Sequence, residues 1–244
     1  VTSGATTYTV TVTDTNGGTA SNTFSLTVAA PPTATQAIAS TALTRNVAAT
    51  SFTPVTGSGG VAPLSYSVSP ALPTGLSMAS ASGAVTGTPT VTSGATTYTV
   101  TVTDANGGTG TATFSLTVNA PPSATQAIAS KVLTQNTAAT SFTPVTGSGG
   151  TTPLAYSVSP ALPTGLTMAS STGAITGTPT VASAATTYTV TVTDANSATA
   201  TNTFSLTVNG PLTATQAIAS KALAVNTAAT SFTPVTGSGG TTPL

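Results

Sequence analysis

A chain of 244 residues with three Lys or Arg, three Asp or Glu, no His and no Cys holds few groups that titrate and none that forms a disulfide or a thiolate. Charged residues are 2% of it, against roughly 25% in an ordinary soluble domain. Zero net charge and three scattered cations (Arg45, Lys131 and Lys221) exclude neutralisation of a nucleic-acid backbone, and no apolar run approaches the ~20 residues that span a bilayer.

The sequence repeats every 90 residues without insertion or deletion. Val1, Val91 and Val181 open one phrase, Val-x-Ser-x-Ala-Thr-Thr-Tyr-Thr-Val-Thr-Val-Thr-Asp. Ser51, Ser141 and Ser231 open another, Ser-Phe-Thr-Pro-Val-Thr-Gly-Ser-Gly-Gly. So long a period marks a small domain copied in tandem, not one turn of a solenoid. Residues 1–30 are expected to be the C-terminal part of one copy, 31–120 and 121–210 complete copies, and 211–244 the N-terminal part of another. Neither end falls on a copy boundary. The chain therefore reads as a window on a longer array, or as one whose end hairpins pair with a neighbouring chain.

Pro31-Pro32 opens the first complete copy; Pro121-Pro122 and Pro211-Leu212 open the next two. Proline fixes φ and donates no hydrogen bond, so these are short, stiff joins. A first strand is expected near 33–39 and a second over 48–55, before a turn at Gly57-Ser58-Gly59-Gly60. Leu64, Tyr66 and Val68 then alternate with serines as a strand with one apolar face. Pro70-Ala71-Leu72-Pro73-Thr74-Gly75 makes a longer turn, and short strands fit 76–78 and 84–86. Tyr98, Val100 and Val102 alternate with Thr97, Thr99, Thr101 and Thr103; Phe114, Leu116 and Val118 alternate with Thr113, Ser115 and Thr117. Asp104-Ala105-Asn106-Gly107-Gly108 joins these two strands as a hairpin turn. About seven strands and no helical period give an all-β fold of tandem immunoglobulin-like β-sandwich domains. Tyr98, with Tyr8 and Tyr188, stands two residues before an apolar strand position, as the tyrosine of a tyrosine corner does. The alternative is an ordinary core tyrosine.

Several phrases together resemble the bacterial putative-immunoglobulin repeat called He_PIG, related to cadherin-like surface modules. They are Pro63-Leu64-Ser65-Tyr66-Ser67-Val68, Leu72-Pro73-Thr74-Gly75-Leu76-Ser77, Gly83-Ala84-Val85-Thr86-Gly87-Thr88-Pro89 and Tyr98-Thr99-Val100-Thr101-Val102-Thr103-Asp104. The resemblance runs copy after copy through the whole chain. It implies an all-β sandwich in large, repetitive, secreted or cell-surface proteins, and it implies no catalytic residues.

Calcium-binding relatives supply several carboxylates at each domain junction, whereas each copy here has one: Asp14, Asp104 or Asp194. Calcium takes six to eight oxygens, so these aspartates read as turn residues that bond their own backbone. No catalytic, cofactor-binding or metal-binding residue is expected, because no copy has a titratable pair. Gly57-Ser58-Gly59-Gly60 lacks the Lys and the helix of a phosphate loop. The outward threonines offer a hydroxyl ladder of the kind seen on ice-binding and crystal-binding surfaces, but a half-exposed sheet needs a polar face in any case. So neutral a surface should respond little to pH or salt, and it lacks the repulsion that keeps molecules apart. Positions that differ between copies, such as Thr41-Ala42 against Lys131-Val132 and Val61-Ala62 against Thr151-Thr152, are expected to be exposed.

These features point to a structural, non-enzymatic protein of the extracellular space or cell surface. It would form a fibre or stalk and associate with copies of itself. The alternative is an adhesin arm that recognises glycans or another cell, with its binding surface in the loops at 57–63 and 70–75.

Overall fold

The computed structural model describes residues 2–240; Val1 and residues 241–244, which begin and end the expected copies, lie outside them. The chain divides into two compact units, Val1–Asn119 and Ala120–Leu244. The described residues form strands and turns and no helix.

The first unit opens with β1 (Ser3–Thr13) and β2 (Thr19–Val28), an antiparallel hairpin. A complete sandwich follows: β3 (Pro32–Gln36), β4 (Ser40–Thr44), β5 (Ala49–Phe52), β6 (Val55–Gly59), β7 (Ser65–Ser69), β8 (Leu76–Met78), β9 (Val85–Gly87), β10 (Ser93–Thr103) and β11 (Thr109–Asn119). The second unit repeats it as β12 (Pro122–Gln126), β13 (Ser130–Thr134), β14 (Ala139–Phe142), β15 (Val145–Gly149), β16 (Ala155–Ser159), β17 (Leu166–Met168), β18 (Ile175–Gly177), β19 (Ser183–Thr193) and β20 (Thr199–Asn209). It closes with β21 (Thr213–Gln216) paired to β22 (Val235–Ser238).

One sheet of the first sandwich has the order β4-β11-β10-β7. The opposing layer is made of β3-β6 and β5-β9-β8. There are seven strand positions, two of them broken. The expected strand over 33–39 ends early, at Gln36, as β3; the next strand, β4, lies beyond the expected bounds and in the other layer. Between them the N–H groups of Ala37 and Ile38 both donate to the carbonyl of Pro54, at 2.8 and 3.1 Å. The expected strand over 48–55 is interrupted at Thr53-Pro54, because proline cannot donate to a ladder; β5 lies within it, and β6 starts at its last residue. Pro54 thus interrupts one strand while its carbonyl bends another, and β4 is released to pair in parallel with β11. The expected turn at Gly57 also moves: β6 runs on to Gly59, and the chain reverses after it.

Alternation fills the core. Val100, Val102, Phe114, Leu116 and Val118 from one sheet meet Val55 and Phe52 from the other. Each such side chain contributes about 1.5–3 kcal/mol on burial. The Tyr98 ring stacks on Phe114 with centroids 5.5 Å apart, and Phe52 meets the same ring edge-on at 6.4 Å. Tyr188, Phe204 and Phe142 repeat the trio at 5.5 and 6.5 Å. Ile175 replaces Val85 and is still fully buried, so the second core takes the extra methylene.

Backbone excludes a side chain at Gly75 and Gly87, and at Gly165 and Gly177 in the second complete copy. A Cβ on Gly75 would lie 2.0 Å from the Thr88 carbonyl oxygen, and one on Gly87 would lie 2.1 Å from that of Gly75. Both residues have positive φ, +95° and +119°. Gly75→Ala with Gly165→Ala is therefore expected to cost each copy ~2 kcal/mol or more. Urea unfolding of the whole chain checks this; an unchanged midpoint would contradict the close approach.

Candidate functional site

The polar chemistry of each copy gathers at one pole, where β3 begins and β10 turns into β11. Asp104 sits at that turn and is only 7% exposed. Its Oδ1 accepts the N–H groups of Asn106 at 3.0 Å and Gly108 at 2.7 Å. Its Oδ2 reaches across the fold and accepts the N–H of Val61 at 3.0 Å. Ala105 N–H donates in return to the Val61 carbonyl at 2.8 Å. The turn between β10 and β11 is thereby fastened to the loop between β6 and β7. The local half was legible as a turn-forming aspartate. The Val61 arm was not, because nothing in the sequence links positions 43 residues apart.

The second copy keeps the latch and adds to it. Asp194 accepts from Asn196, Ala198 and Thr151 at 3.0, 2.8 and 2.9 Å. The Asn196 side-chain amide donates to the Thr151 hydroxyl at 3.0 Å. Thr151 is buried, at 8% exposure, so the expectation that the variable positions are exposed fails there. A hydroxyl in place of the Val61 side chain gives this pole an additional polar contact. Asp14 makes the two local bonds, to Asn16 and Gly18 at 2.9 and 2.7 Å.

The opening proline packs against this latch. A Cβ on Gly60 would meet Asp104 Cβ at 2.9 Å and Pro32 Cβ at 3.1 Å, so Gly60 lets the proline and the carboxylate close on one another. Where residues 211–240 follow the second copy, the join is bonded twice. Asn209 donates its side-chain amide to the Gly240 carbonyl at 2.7 Å, and Gly240 N–H donates to the Gly210 carbonyl at 2.8 Å.

The two tyrosines of the sheet, Tyr98 and Tyr66, have different contacts. Tyr98 is buried against Phe114, and no hydrogen bond of its hydroxyl occurs among the described residues. The tyrosine that grips backbone is Tyr66, whose hydroxyl accepts the N–H of Gly57 at 3.0 Å; Tyr156 accepts from Gly147 at 3.0 Å. The core-tyrosine reading therefore describes Tyr98, and the hydroxyl that bonds backbone belongs to Tyr66 on β7.

The loops proposed to form one binding surface are separated. The loop around 57–63 lies at the latch pole, and 70–75 lies at the opposite end of β7, roughly 17 Å away at the strand rise of ~3.4 Å. On the outer face, Ser69, Thr99 and Thr113 form one cross-strand row, Ser67, Thr101 and Thr111 a second, and Ser65, Thr103 and Thr109 a third. Lys131 carries its charge over the Phe142 ring at 5.3 Å, a cation–π contact. Among the described residues no three His, Cys, Asp or Glu side chains are grouped to hold a metal, and no helix is long and apolar enough to cross a membrane.

The profile of the family described as Putative Ig domain, He_PIG, matches residues 30–119 and again 120–209. The chain belongs to this family. Among solved structures, an I-band fragment from titin is 16% identical, with 75% of this chain and 67% of that one covered and a TM-score of 0.49. A fragment of mouse cadherin-23 is 15% identical over 84% and 74% of the two chains, with a TM-score of 0.32. A fragment of human protocadherin-24 is 15% identical over 74% and 98%, with a TM-score of 0.37. No sequence among curated proteins matches the chain. In the He_PIG repeats of this chain, the proline join and the carboxylate latch occupy the same pole of each matched segment.

The Val61 N–H, and after it those of Gly108, Asn106 and Gly107, hold the Asp104 carboxyl below its ordinary value of 3.8, while burial works in the other direction. A carboxylate lowered by folding contributes stability that is present above the ordinary value and is lost as pH falls through the lower folded one. Melting of the first complete copy is expected to be level from neutral pH down to about 3.8 and to drop below it. Asp104→Asn should melt lower at neutral pH and lose that acid step; an acid profile matching the wild type would refute the latch. Asn209→Ala should speed amide exchange at Gly240 and leave Val208 protected, and equal rates at Gly240 in both proteins would show that the side chain does not hold the join.

Proposed function

We propose that this chain is a spacer segment of an extracellular or cell-surface array, acting as a fibre or stalk and not as an enzyme. On this reading residues 1–30 and 211–244 belong to further copies of the repeat. The observation that carries it is the recurrence, in both complete copies, of one pole where the opening proline, a close-packed glycine and a multiply bonded carboxylate meet. A join built into the sandwich sets the spacing of successive domains, and a copy that is fastened internally keeps its shape when its neighbours change.

Supporting this, the polar face of the four-stranded sheet is made of uncharged hydroxyls, which neither repel a second copy nor depend on salt. Lateral packing of chains through these faces and through the edge strands β4 and β7 fits that surface. The adhesin reading is less favoured, because its two loops stand at opposite ends of β7 and make no common surface.

Electron microscopy of native material tests the proposal. Ordered fibres or beaded threads with one bead per 90-residue repeat are the expected result. Compact, isolated particles from full-length protein, together with specific binding on a glycan array, would replace it with the recognition reading.

A further inference from the structure

The turn between β10 and β11 contains Asn106 followed by Gly107, and the corresponding turn of the first hairpin contains Asn16 followed by Gly17. We propose that these two asparagines are sites of spontaneous, self-catalysed deamidation, and that the second complete copy is built so as to resist it.

The chemistry needs only the chain and water. The backbone nitrogen of the following residue attacks the asparagine Cγ, and a C–N bond forms as ammonia leaves with the amide proton. The resulting five-membered succinimide is opened by water at one of its two carbonyls, giving aspartate or isoaspartate. Three features govern the rate: a small following residue, an exposed side chain, and an amide not held by other bonds.

Asn106 has all three. Gly107 offers no side chain to obstruct attack, and a Cβ there would meet nothing within 4 Å. Asn106 is exposed, and among the described residues its one hydrogen bond is that of its own backbone N–H to Asp104 Oδ1. The attacking Gly107 N–H is engaged by the Asp104 carbonyl at 3.1 Å, the longest hydrogen bond within the turn and the one that must open. Asn16 and Gly17 match this arrangement, with the corresponding bond at 3.2 Å.

The chain holds its own controls. Asn196 is followed by Ser197, and its amide donates to Thr151 Oγ1 at 3.0 Å. Ser197 takes φ of 68° where Gly107 takes 83°, so the fold accepts a strained side chain at this position. Asn209 is followed by Gly210, but its amide is clamped to the Gly240 carbonyl at 2.7 Å at the end of β20. Asn209 thus has the reactive sequence and a restrained side chain, which separates the contribution of structure from that of sequence.

Each event adds a negative charge to a chain of formal net charge zero. At Asn106 the charge arrives beside Asp104. An isoaspartate also lengthens the turn backbone by one methylene, which pulls against the Val61 bond.

The test incubates the whole folded chain at mildly alkaline pH and follows each asparagine by peptide mass spectrometry. Conversion at Asn16 and Asn106 is expected to outpace that at Asn196 and Asn209 by at least about tenfold, the order that a lost hydrogen bond supports. The same chain in denaturant should bring Asn209 up to the rate of Asn106. Thr151→Val with Ser197→Gly should raise Asn196 to the rate of Asn106, and because it copies residues the first copy already tolerates, the fold is expected to survive. Asn106 converting no faster than Asn196 in the folded chain, or the double variant failing to speed Asn196, would overturn the proposal.

Discussion

Everything in a copy is assembled against the inner row of its longest hairpin. Tyr98, Val100 and Val102 on β10 and Phe114, Leu116 and Val118 on β11 form a continuous apolar surface at 3% exposure or less. The Tyr–Phe stack within it keeps a centroid distance of 5.5 Å in all three hairpins. The first hairpin keeps the same register. In the first complete copy the other strands are arranged about the β10–β11 hairpin. β7 and β4 extend its sheet, and the remaining strands close over its apolar side.

With charges so few, polar order falls to backbone-directed contacts. The carboxylate at the turn, the Tyr66 hydroxyl on Gly57 and the Gln36 amide on the Thr113 carbonyl each bind main chain rather than a partner side chain. Such contacts tolerate change in neighbouring side chains, which is consistent with copies that differ at position 61 or 151 while keeping the same latch. They also keep the one titrating group of the pole tied to several donors, so a surface that sequence composition marks as indifferent to pH has one sensitive point in the first complete copy.

Strict alternation made β7, β10 and β11 legible, because a period of two over five or more residues leaves one interpretation. Strands too short to show a period were placed by their flanking turns, and 76–78 was found where expected. The breaks at Pro54 and after Gln36 were not legible. A proline in a strand signals a defect, but which neighbour uses its free carbonyl depends on tertiary packing. Tyr98 and Tyr66 could not be told apart from local pattern, since both alternate with hydroxyl residues; only the position of Gly57 opposite the Tyr66 ring decides which hydroxyl meets backbone. The latch failed to show for the same reason: half of it is local to Asp104 and half belongs to Val61.

The parallel pairing of β4 with β11 has a mechanical meaning. Five register pairs, from Ser40 opposite Ser115 to Thr44 opposite Asn119, join a strand near the start of the domain to the strand that ends it, and both run in one direction. Tension applied through the two ends of the domain draws these strands past each other along their length. The bonds between them are then loaded together in shear, not opened one after another as in a peeled hairpin. The parallel pair would therefore resist tension on the domain ends in shear, along the length of β4 and β11.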